Sequence, residues 1–115
     1  MSKVRQQIKS TIYDKRGRVL AIGTNSYTKS HPKQAKYAAL AGREQAIYLH
    51  SEIAAIIKLK DKQSLAHSIM IERYGRNGEE LLAKPCEICS LALEMAGIEI
   101  VEYTGQYGED NEYAR

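Results

Sequence analysis

His50-Ser51-Glu52 and, further along, Pro85-Cys86-Glu87-Ile88-Cys89 are the residues of this chain whose types and spacing can do chemistry together. One imidazole and two thiols form a donor set that suits zinc. The i,i+3 spacing of Cys86 and Cys89 puts both sulfurs on one face of a helix. Pro85 reads as the first helical residue, where a missing N–H leaves nothing unpaired. Both thiols then lie in the opening turn, where the positive end of the helix favours the thiolate, the form that binds metal. On its own, C-x-x-C also suits a redox dithiol or a purely structural site.

His50 and Glu52 add a geometric condition. Residues i and i+2 do not share a face inside a helix. They serve one site only from a first turn, pointing off the helix end. The helix is therefore expected to begin near Leu49 rather than at Glu44, and two helix N-termini should converge on one metal. His50, Cys86 and Cys89 are three ligands, which leaves a tetrahedral zinc one place for water unless His31 or His67 fills it. A water activated by zinc gives up a proton readily. Glu52 is placed to take that proton, deliver it to a ring nitrogen and help an amine leave. The expected cofactor is Zn2+, and the expected reaction is hydrolytic deamination of an amino-substituted heterocycle.

The elements that must position these groups can be read from periodicity. Alternation predicts a hairpin, with strands over residues 7–14 and 19–23 and a turn at Lys15-Arg16-Gly17-Arg18. Residues 25–42 form a long polar connection, with a short helix over 34–40. Apolar residues at helical spacing predict a helix over 49–60, and 61–66 reads as a linker. A strand comes next over 68–74, then a turn marked by Asn77-Gly78. A second helix spans 86–95, ended by Gly97. A last strand covers 98–103, and residues 105–115 read as a frayed tail. The order ββαβαβ predicts one small α/β domain with a mixed sheet, an antiparallel hairpin followed by a parallel strand–helix–strand unit.

Composition narrows the classes. The chain has 115 residues, 43% hydrophobic and 27% charged, with eight Tyr but no Trp or Phe, so Ile, Leu, Val, Ala and Met must fill the core. A net charge of +3 does not by itself indicate nucleic-acid binding. Lys29, Lys33, Lys36 and Arg43 form an acid-free basic stretch, whereas residues 109–112 are acidic. The first ten residues lack the apolar core of a signal peptide, and no apolar run approaches the roughly 20 residues that span a bilayer. A cytoplasmic protein without a membrane partner is expected, and there two cysteines read as a metal or redox pair rather than a disulfide.

H-x-E followed by P-C-x-x-C is the known signature of zinc nucleobase deaminases. With it, the chain resembles the cytidine deaminase superfamily from the first hairpin through Tyr103. It is most similar to the small stand-alone deaminases of phages and to the deoxycytidylate deaminases, in Lys84-Pro85-Cys86-Glu87-Ile88-Cys89, Leu93, Gly97-Ile98 and Val101-Glu102-Tyr103. The resemblance implies a three-layer α/β/α sandwich with a mixed, about five-stranded sheet. It also implies that Asn25, in Gly23-Thr24-Asn25, binds a ribose or deoxyribose hydroxyl; the other reading is a turn asparagine. Ser51 stands where the family usually has Ala. The chain lacks the extra His and Cys residues of the longer, allosterically regulated deoxycytidylate deaminases.

The substrate stays open at this level. In the first reading it is a mononucleotide, dCMP converted to dUMP. Lys29, Lys33 or Arg43 would hold the phosphate, His31 would line the pocket unless it only packs beside Pro32, and Ser51 would lie against the substrate next to Glu52. In the second reading it is a base in single-stranded DNA or RNA, stacked on Tyr27, Tyr37, Tyr48 or Tyr74; Tyr48 also reads as a core residue. The modest charge and the lack of a basic arm favour the nucleotide. A third reading is a catalytically idle, zinc-stabilised binding module. Members of the superfamily are often oligomers, so a homo-oligomer whose neighbouring subunit completes the pocket is a further expectation.

Overall fold

A computed structural model describes residues 7–43 and 48–106. It contains β1 (Ile8–Tyr13), β2 (Val19–Thr24), α1 (Pro32–Leu40), α2 (Ser51–Leu59), β3 (Ser68–Arg73), α3 (Glu87–Met95) and β4 (Ile100–Tyr103). The expected elements are present, with ends moved by a residue or two. The 61–66 linker is instead a 3-10 helix, Lys60–Leu65, that continues directly from α2. Glu44 and the tail from residue 107 onward lie outside the described residues.

The hairpin closes on one carboxylate. Asp14 accepts hydrogen bonds from the backbone N–H groups of Arg16 and Arg18, both at 2.9 Å, and from Arg18 Nε at 3.0 Å. Gly17, at φ 82°, supplies the left-handed residue of this turn.

The sheet order is β2-β1-β3-β4, antiparallel except for the parallel β3–β4 pair that α3 connects. Register puts Ser10, Gly23 and Ile71 side by side, and likewise Ile12, Ala21 and Ile69. All six are buried on the face that receives the helices. There Ile53, Ile56 and Leu59 of α2 and Ile88 and Leu93 of α3 complete the core. Each fully buried aliphatic side chain of this kind contributes about 1.5–3 kcal/mol.

Helix α2 lies across β1 and β2, α3 packs against α2, and α1 leans on both helices. The approach of α2 to β2 requires Gly23. A Cβ there would overlap the backbone of Ala55 and sit 2.6 Å from the Ser51 carbonyl. This contact sets the first turn of α2 over the end of β2. Among the described residues the sheet has four strands; the 74–80 segment adds only an isolated bridge between Tyr74 and Glu80. Gly97 comes after the C-cap of α3 at φ 79°, as its position in the sequence implied. No described helix is long and apolar enough to cross a membrane.

Candidate metal centre and catalytic pocket

The cluster is built from two helix ends. His50 is the N-cap of α2, so Glu52 lies in the first turn, as the H-x-E spacing demanded. Cys86 is the N-cap of α3, in extended conformation at φ −74° and ψ 176°. Pro85 therefore precedes the cap and is not the first helical residue. Because Cys86 takes the extended cap conformation, the helix starts one residue later, at Glu87. Cys89 still falls in the opening turn and is fully buried.

His50 Nδ1 lies 3.2 Å from Cys89 Sγ and 3.5 Å from Cys86 Sγ. The ligand atoms of the three residues lie within 4.8 Å of one another, and among the described residues this is the one such group. Neither other histidine joins it. His31 caps α1, its Nδ1 accepting the Lys33 N–H at 3.0 Å, and His67 pairs with Glu99 at 3.7 Å. Among the described residues, no fourth His, Cys, Asp or Glu groups with these three.

The electrostatics suit a cation. The hydrogen bond from Cys89, helped by His50, holds the Cys86 thiol far below the ordinary thiol range against the opposing cost of burial. Cys89 is pushed upward because its proton is shared with Cys86 and because it is buried. His50 is raised mainly by its hydrogen bond to Cys86. A thiolate, a thiol and an imidazole thus share protons at one point, and a divalent cation can replace those protons there.

Glu52 is only 6% exposed. Burial raises its pKa, while its own backbone N–H and the Ser51 hydroxyl pull the other way. Ser51 Oγ donates to Glu52 Oε1 at 2.9 Å and lies 2.8 Å from Ser10 Oγ. The Ser51 hydroxyl thus serves the carboxylate, although Ser51 also borders the adjoining cavity. Backbone ties hold the loop before α2: the Leu49 N–H donates to Lys29 O at 3.0 Å and the Ser26 N–H to Leu49 O at 2.9 Å.

A cavity of about 340 Å³ opens beside His50, Glu52 and Cys86. It lies where β2 and β3 end and β1 begins, walled by Asn25, Ile8 and Arg73. Ends of strands are the usual place for a ligand in an α/β sheet. Asn25 Oδ1 accepts the Ile8 N–H at 2.8 Å. Its amide NH2 is then the group it can offer the cavity.

The candidates of the basic 29–43 stretch lie elsewhere. Lys29 and His31 do not line this cavity; Lys33 is exposed on α1, and Arg43 faces Glu87 at 3.7 Å. Tyr27 and Tyr48 line the cavity and are exposed, Tyr48 to 54%, so Tyr48 is not a core residue. Tyr37 is buried, and Tyr74 lies off the cavity, bonded to Glu72 at 2.9 Å.

Sequence reading missed four residues. Gln34, fully buried on α1, accepts the His50 backbone N–H at 3.2 Å and fixes the start of α2. Ser10 carries the hydroxyl chain to Glu52, and Arg73 and Lys84 are the cations that line the cavity. A serine at an inward position of β1 and a glutamine amid helix-forming residues were the available signals. Compared with protein-family models and with curated proteins, the chain matches none.

Proposed function

We propose that the protein is a zinc-dependent deaminase of the cytidine deaminase type that converts a cytosine mononucleotide, dCMP, to dUMP. The observation that carries this reading is Glu52: a buried carboxylate in the first turn of α2, beside an N,S,S ligand cluster and facing a nucleotide-sized cavity. Neither folding nor metal retention needs a carboxylate there, and burying one costs stability.

The donor set fits zinc in both type and number. When bound, zinc supplies the Lewis acidity that makes a water nucleophilic near neutral pH. The remaining work falls to the chain. Glu52 accepts a proton from the attacking water and passes it to N3 of cytosine. Hydroxyl adds at C4; Glu52 then takes the proton of the new C4 hydroxyl and delivers it to the amino nitrogen, the C4–N bond breaks as the C4 carbonyl forms, and ammonia leaves, so N3 keeps the first proton and the carboxylate ends as it began. Ser51 and Ser10 fix one carboxylate oxygen, leaving the other for the proton. Asn25 donates its NH2 to a sugar hydroxyl. On this reading the fold extends to the superfamily's three-layer, five-stranded form.

One observation favours a second reading, a base in single-stranded nucleic acid: Tyr27 and Tyr48 are exposed at the cavity and could stack on flanking bases. A substrate panel on zinc-loaded protein separates the two. Release of ammonia from dCMP, with a C-containing strand left intact, supports the mononucleotide. Turnover of the strand alone overturns it, and turnover of nothing at one zinc per chain indicates an idle binding module.

A further inference from the structure

Resting on that reading, we infer that Arg73 and Lys84 form the subsite for the nucleotide's 5′-phosphate and so set a preference for a mononucleotide over a nucleoside. The first observation is the charge of the cavity. Apart from Glu52 and the cluster residues His50 and Cys86, its charged walls are Arg73 and Lys84. The cations of the basic 29–43 stretch do not border it.

The second observation is register. Arg73 is the direct cross-strand partner of Ile8, whose backbone N–H is bound by Asn25. Directly opposite residues of an antiparallel pair lie on one face with Cβ atoms about 4.5–5.5 Å apart. Asn25, Ile8 and Arg73 therefore form a row across three strand ends, on the face that carries α2. A sugar held by Asn25 has its 5′ substituent within reach of the far end of that row.

The third observation is a brace that holds Arg73 and the loop leading into Lys84. Thr104, 1% exposed, accepts the Arg73 N–H at 3.0 Å and donates to Leu81 O at 2.6 Å, with Arg73 O a second acceptor at 3.2 Å. Its carbonyl takes the Ala83 N–H at 3.0 Å, and Arg73 Nη1 reaches Leu82 O at 3.4 Å. The end of β3 and the 81–83 loop are stitched into one unit, Lys84 follows it directly, and Arg73 and Lys84 both line the cavity. A planar guanidinium matches phosphate oxygens in pairs, and the ammonium adds a point charge.

The test compares kcat/KM for dCMP and for deoxycytidine in wild type, Arg73→Gln, Lys84→Gln and the double variant, with zinc content measured in each. The dCMP-to-deoxycytidine ratio should fall about 10-fold or more in Arg73→Gln and further in the double variant, as expected for loss of charge-assisted hydrogen bonds. An unchanged ratio, even with both activities reduced, overturns the subsite and leaves Arg73 a structural residue. A C-containing strand as third substrate separates a mononucleotide phosphate from a backbone phosphate; a strand preferred over dCMP overturns the assignment. Calorimetric binding of dCMP and inorganic phosphate does not depend on turnover. Binding lost in the double variant supports the subsite even if wild type proves inactive, and phosphate-independent binding of dCMP overturns it.

Discussion

Ser51 Oγ donates to Glu52 Oε1 at 2.9 Å while lying 2.8 Å from Ser10 Oγ. With its proton committed to Glu52, Ser51 must accept from Ser10, so the two hydroxyls form a directed chain ending on the carboxylate. Ser51→Ala should leave fold and zinc content intact but free the carboxylate to rotate. A net hydrogen bond is worth about 0.5–1.5 kcal/mol, so kcat should fall about 3- to 10-fold with little change in KM. Steady-state kinetics of the two proteins check this; an unchanged kcat would mean that the chain serves packing alone.

Burial raises the pKa of Glu52, and this fixes the sign of its effect on stability. A group that binds its proton more tightly when folded stabilises the protein below its unfolded pKa, near 4.5, and that contribution is lost as pH rises through the folded value. Above the unfolded value, burying this group therefore costs the metal-free protein stability. Glu52→Gln should melt higher than wild type at pH 7.5, and the difference should vanish toward pH 4. Paired melting curves of the metal-free proteins test it, and a variant less stable at pH 7.5 would contradict it.

Much of the site was legible because its logic is local. The H-x-E spacing forces both residues to a helix start, and α2 indeed begins at Ser51 with His50 as its cap. C-x-x-C likewise fixes two sulfurs without reference to the rest of the chain. The cavity wall was not legible, because it depends on strand register. Nothing near Arg73 in sequence says that it lies opposite Ile8, whereas Lys29 stood out through composition alone. Helix α1 was readable from composition, but the reach of Gln34 to the His50 backbone is a tertiary fact.

The thiols should differ in reactivity once metal is removed. The hydrogen bond from Cys89 and the nearby His50 hold Cys86 as thiolate well below neutral pH, while Cys89 keeps its proton. Iodoacetamide at pH 6 should modify Cys86 first in metal-free protein, as peptide mapping would show, and zinc should protect both. Preferential labelling of Cys89 would contradict this.

Gly23 sits under α2 with no room for a side chain. Gly23→Ala must push the first turn of α2 away from β2, costing about 1–3 kcal/mol and displacing His50 and Glu52 together. Melting temperature and zinc retention should both fall. A Cβ at Gly17 meets nothing within 4 Å, so Gly17→Ala should cost only its positive φ, about 1 kcal/mol, and leave zinc retention unchanged. Equal zinc loss in both variants would show that the Gly23 contact does not position the site.

The role proposed for Glu52, moving protons at a zinc centre that acts on a cytosine nucleotide, can be tested directly. Conversion of dCMP to dUMP, monitored by the change in ultraviolet absorbance and by ammonia release, should be compared between zinc-loaded wild type and Glu52→Gln. Wild type should turn over dCMP, and the variant should lose at least about 100-fold while still binding one zinc and dCMP. Equal turnover by both proteins, or none by a wild type that holds zinc and binds dCMP, would contradict it.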